Sequence, residues 1–275
     1  MRADVGARNL IGPPMQNPMQ TVAQTHKLNL PALRWLVFYG MILAAWAGLF
    51  ATLSAPEMAA ARALGQPVWL ALCRAGVAGA GYGAAFVMWA LMGAAMMAPS
   101  LLPALKTYDD LRHTGAVPRG GFYALVAGYL AVWLGFAAVA AGAQMALAGA
   151  GAGAGAGAMR WGAPLLLAGA GLYQFSALKE GCLSKCRAPL TFFMGNWRDG
   201  LGGAAAMGVR LGIICLGCCW ALMALGLIGG AMSLAFMGLA TLLMALEKLP
   251  QIGRHVTTPL GLALLAAAGF FAISG

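Results

Sequence analysis

The chain has 275 residues, 61% hydrophobic and only 9% charged, with a mean hydropathy of +0.80 and a formal net charge of +10. A soluble domain carries about 25% charged residues, so an ordinary globular protein is excluded. Long unbroken apolar runs also exclude a transmembrane β-barrel, whose strands alternate, and predict an all-α, polytopic integral membrane helical bundle. The basic excess lies between the apolar runs, which argues for orientation in a lipid bilayer and against nucleic acid as a partner.

Residues 1–32 hold Arg2, Arg8 and Lys27 among Pro and Gln, with no apolar core. They read as a flexible cytoplasmic N-terminal tail, not a cleavable signal peptide. Residues 33–275 read as a single transmembrane domain. Its spans are predicted at 35–53, 79–98, 122–147, 163–178, 209–227, 231–246 and 259–274, about seven helices, or six if the last is peripheral. Pro99 and Pro103 mark the end of the second. The alternating Gly/Ala run 149–158 reads as a linker loop, because dense Gly weakens a helix. A polar loop, 179–200, follows the fourth span, and Gly229-Gly230 turns the fifth into the sixth.

With the N-terminus in the cytoplasm, this alternation leaves only Arg62, Arg74 and Arg160 outside and the rest of the 17 Lys and Arg inside. That is the bias of cytoplasmic loops in a multi-pass membrane protein, and it supports a cytoplasmic N-terminus.

The fifth span carries Cys215, Cys218, Cys219 and Met223, at i, i+3, i+4 and i+8, so four sulfurs share one helical face. Counted from Val209, the three thiols lie about 9–15 Å along that helix. In the antiparallel second span Met88, Met92 and Met96 recur every fourth residue, and the sixth adds Met237 and Met244. Three helices thus offer sulfur at comparable depth. Thiolate and thioether are soft ligands, which favours Cu(I), with Zn as the alternative metal. The competing reading is that Cys and Met only pack one helix on another.

Cys182 and Cys186 form a second thiol pair whose i, i+4 spacing puts both sulfurs on one side of a helical turn. Lys185 and Arg187 are expected to favour their thiolates. Facing the reducing cytoplasm, the pair suits metal relay or redox cycling better than a structural disulfide. Glu247 ends the sixth span, where it reads either as an interfacial ion pair with Lys248 or as a hard ligand or proton carrier.

His26, His113 and His255 lie in loops, which excludes buried bis-His haem. No Walker A sequence or serine-nucleophile elbow is present, so the chain is not expected to be an enzyme.

Four motifs carry a family resemblance. They are Met88-Trp89-x2-Met92-x3-Met96-Met97-x-Pro99; Lys179-x2-Cys182-x3-Cys186-Arg187-x-Pro189; Gly208-x-Arg210-x4-Cys215-x2-Cys218-Cys219-Trp220-x-Leu222-Met223; and Gly230-x-Met232-x4-Met237 leading to Glu247-Lys248. Together, over 79–253, they resemble the bacterial domain-of-unknown-function family 2182, described as predicted metal-binding integral membrane proteins. The resemblance implies metal binding within the membrane, at the Cys215, Cys218, Cys219 and Met positions, and no established activity.

The expectation is therefore a soft-metal membrane protein. Its site combines Cys215, Cys218, Cys219, Met223, Met92 and Met96, with Cys182 and Cys186 as the loading or release point. It would transport, store or deliver the metal, with a metallochaperone or metalloenzyme as partner. Two rivals stand beside it, a membrane thiol–disulfide oxidoreductase and a structural subunit of a membrane complex.

Overall fold

The computed structural model describes residues 30–63, 81–115, 117–153, 156–227 and 234–274. The tail 1–29, Arg74, the Gly229-Gly230 turn and Met232 lie outside the described residues, as do the side chains of Arg62 and Arg160. The chain divides into two compact units, Met1–Tyr39 and Gly40–Gly275. In the first, the Trp35 and Tyr39 rings stack one helical turn apart, 6.1 Å between centroids.

The described residues are almost all helical and include no strand. The helices are α1 (Leu30–Ala63), α2 (Tyr82–Met97), α3 (Leu102–Asp110), α4 (Gly121–Gly153) and α5 (Ala156–Gln174). Then come α6 (Ala177–Arg187), α7 (Pro189–Asn196), α8 (Gly200–Ala224), α9 (Leu234–Glu247) and α10 (Gly253–Ser274). Among them, five segments are long and apolar enough to cross a membrane: Ala32–Ala51, Tyr82–His113, Gly121–Leu147, Gly200–Leu227 and Gly253–Ser274. α9 supplies a shorter apolar helix, Phe236–Glu247.

Three local expectations change. The Gly/Ala run is helical at 149–153 and again at 156–158, continuing α4 and opening α5. The polar stretch after α5 is two helices, not a loop. Ser176 caps α6 by accepting the Lys179 N–H at 3.1 Å, and Pro189 starts α7 where its missing N–H is not needed. Glu180 in the first turn of α6 and Lys185 and Arg187 in its last turn complement the helix dipole. Finally, α8 begins at Gly200, nine residues before Val209, so Cys215 sits about 22 Å along it.

Glycine decides which helices touch. Gly208 and Gly212 form a Gly-x3-Gly step on α8, and Gly128 faces them from α4. A Cβ on Gly128 would strike the Ala205 carbonyl, and one on Gly208 the Leu125 carbonyl. Backbones that close exclude any side chain, as in small-residue packing within membranes. The second such crossing joins α5 to α10 at Gly171 and Gly261. On α4, Tyr129, Trp133 and Phe136 recur at i, i+4 and i+7 and form a continuous aromatic row. The row ends edge-on against Trp89 of α2, whose indole N–H donates to Gln144 Oε1 at 2.8 Å. Close approach and aromatic packing together hold Tyr129 against α8.

Candidate metal centre

Because α8 is a regular helix, Cys215, Cys218 and Cys219 project to one side, and their sulfurs all lie within 4.8 Å of one another. Cys218 Sγ and Cys219 Sγ are 3.3 Å apart, and the Cys218 thiol donates to the Cys215 carbonyl at 3.1 Å. All three are buried, with 1–3% of their surface exposed. The thiols face protein, not lipid.

Cys215 is the polar hub of the group. The Tyr129 hydroxyl lies 3.0 Å from its sulfur and 2.8 Å from the Met97 carbonyl, two acceptors for one proton. Ser100 Oγ stands 3.5 Å from the same sulfur and donates to the Met97 carbonyl at 2.7 Å. Lys248 Nζ donates to Cys215 Sγ at 3.1 Å. An ammonium thus sits against a sulfur that becomes negative whenever it ligates a metal. Lys248, Tyr129 and Ser100 were missed from sequence. Only the aromatic periodicity of α4 hinted at Tyr129.

Glu247, read from sequence either as an ion pair with Lys248 or as a hard ligand or proton carrier, pairs with a different lysine. Both Glu247 carboxylate oxygens accept from Lys179 Nζ at 2.9 Å, and both side chains are 1% exposed. Lys179 also donates to Gln174 Oε1, and Arg187 clamps the Glu247 carbonyl at 3.0 and 2.7 Å. With its oxygens so engaged, Glu247 stands in an ion pair and not among the thiols.

The Lys179 tether positions the second thiol pair. Lys179, Cys182 and Cys186 fall at i, i+3 and i+7 on α6, one face, which packs on α8. Cys182 Sγ lies over Gly217, where a side chain would collide with it, and Cys186 lines the same small void as Cys215. The expected separate loading site is therefore contiguous with the buried triad. Cys182 and Cys186 are half-buried, and all five described cysteines are free thiols. Burial pushes the Cys182 thiol up, with nearby Lys185 opposing and Cys215 adding to the rise. This reverses the thiolate expected from Lys185 and Arg187: desolvation outweighs the nearby cation.

The methionines Met88, Met92, Met96, Met223 and Met237 are all buried, 1–4% exposed. The Met92 methyl lies near Gly226, beyond Met223 on the chain and away from Cys215. Cys215, Cys218 and Cys219 form the one group of three or more Cys, His, Asp or Glu among the described residues with the geometry to hold a metal. Three soft donors without a carboxylate or imidazole suit a soft ion.

A family model described as a copper chaperone, PpoB2, matches residues 86–271. The chain belongs to this copper-chaperone family. The match spans α2 to α10 and takes in both thiol sets, Lys179 and the Glu247-Lys248 pair. No curated protein and no solved structure matches the chain.

Proposed function

We propose that this protein is an inner-membrane copper chaperone that holds Cu(I) on Cys215, Cys218 and Cys219 and delivers it to a metalloenzyme or a second chaperone. The observation that carries this reading is the triad itself, three buried sulfurs within 4.8 Å of one another. Copper is cargo here, and the protein acts by binding and ligand exchange, not by catalysis. Lys248 offsets part of the negative charge that thiolate ligation brings into a buried place, where an unpaired charge is costly. Met223, one helical turn beyond Cys219 on the same helix, is buried and offers a weaker thioether sulfur by which the ion can leave. The Lys and Arg distribution supports an orientation with α6 and its thiol pair on the cytoplasmic side.

The test is metal analysis of the purified chain under reducing conditions, with bicinchoninate as a competing Cu(I) chelator. The wild type is expected to retain copper, and the Cys215→Ser, Cys218→Ser, Cys219→Ser triple variant to lose it. Equal copper in both would refute the site. Reversible disulfide formation with no bound metal would point instead to a thiol oxidoreductase.

A further inference from the structure

Two of the five described thiols are half-buried and three are fully buried, yet one from each set faces the same small void. This void, about 20 Å³, has Cys186 of α6 on one wall and Cys215 of α8 on another, with Ser100, Tyr129 and Lys248 around it. A space of that size holds about one water or one ion. Cys186 also lies close enough to Cys218 for the two thiols to interact. Cys182, one turn away, sits over Gly217 and is not part of the void's lining. Lys185 lines both this void and a groove of about 500 Å³ that also carries Ser184, Thr191, Asn196 and Arg210.

Resting on the Cu(I) reading above, we infer that Cys186 is the transfer ligand of the triad. Cu(I) comes in by the groove, is taken by Cys186 and passes to Cys218 and Cys215 by stepwise thiolate exchange inside the void. Each copper–sulfur bond that forms costs the incoming thiol its proton. As the copper–Cys186 bond breaks, one of these protons returns to the Cys186 thiolate, and the others leave to water through the groove or with the ligand that the donor complex gives up. Copper stays Cu(I) throughout, so no oxidant or reductant is required. When the metal rests on the triad, Cys186 is again a thiol, ready for the next ion. The triad's burial makes such an intermediary necessary, because its sulfurs expose almost nothing to a donor. Lys185 and Arg210 give the groove a positive lining, which suits a negatively charged Cu(I) complex as donor.

Stopped-flow transfer of Cu(I) from its anionic bicinchoninate complex to the full-length chain in detergent tests this. Cys186→Ser is expected to slow both uptake and release by about tenfold or more while leaving the equilibrium dissociation constant within about twofold, a change in barrier and not in binding. Cys182→Ser is expected to slow transfer less than about threefold. Cys186→Met, which keeps a soft sulfur in place, should recover part of the lost rate, whereas a merely structural defect would not be rescued. Wild-type rates in Cys186→Ser, lowered copper stoichiometry, or equal slowing by Cys182→Ser would each overturn the inference. If the wild type itself takes up no Cu(I), the triad reading falls as well. If the triad binds and Cys186→Ser is not slow, only the relay falls.

Discussion

Glu247 and Lys248 are neighbours in sequence, yet each belongs to a different buried polar cluster. Around Glu247 the accounting is complete: both carboxylate oxygens meet Lys179, and Arg187 holds the backbone carbonyl. Around Lys248 it is not. One ammonium faces three sulfurs, and a void of about 20 Å³ remains beside them. A closed cluster of charges fixes helices in place. An open one, with donor atoms in excess, is where an ion can be received.

Breaking the closed cluster should have the largest effect. Glu247→Ala strands the Lys179 ammonium in the interior and is expected to cost about 3–5 kcal/mol of stability, read from denaturant unfolding in detergent. The double variant Lys179→Met, Glu247→Leu should recover most of that loss, since no charge is left unpaired. If Glu247→Ala unfolds like the wild type, the pair is not the tether between α6 and α9.

The open cluster should respond in binding more than in stability. Lys248→Met removes a charge-assisted hydrogen bond worth about 1.5–3 kcal/mol, so Cu(I) affinity is expected to weaken roughly tenfold to a hundredfold in a bicinchoninate titration. Lys248→Arg should retain more of it. An unchanged affinity in Lys248→Met would show that the ammonium does not compensate the bound state.

A third variant acts on what brings the two helices together. Gly208→Ala puts a methyl on the Leu125 carbonyl and is expected to cost about 1–3 kcal/mol through overpacking. Copper affinity should fall with it, because Tyr129 is drawn away from Cys215. The smallest effect is one of pH. A Cys182 thiol pushed up by burial is mostly protonated at neutral pH, so its alkylation should be slower than that of a free cysteine. The rate should climb only as pH rises past the ordinary thiol range, a profile that peptide mass spectrometry can follow. Fast alkylation at neutral pH would mean that Lys185 outweighs desolvation.

The triad was legible in sequence because it depends on one helix. Spacing of i, i+3 and i+4 within an uninterrupted apolar run leaves little freedom in where three sulfurs point. α6 was hidden because its composition is polar, although the cap at Ser176 and the stop at Pro189 were there to be read. The partners of Lys179 and Lys248 were not legible at all. Lys179 meets a residue 68 positions away and Lys248 one 33 positions away, and no local pattern encodes such pairings. Proximity favoured joining Glu247 to Lys248, but successive residues in or beside a helix face different directions, and packing chose otherwise.

Gly217 shows how little separates a sealed pocket from a reachable one. Its missing side chain is the notch into which Cys182 settles, so α6 can lie flush on α8 with Cys186 beside Cys218. A single methyl at 217 would act as a wedge under α6, lifting the outer pair of sulfurs from the inner three without altering any of the five. Such a chain would keep its grip and lose its doorway.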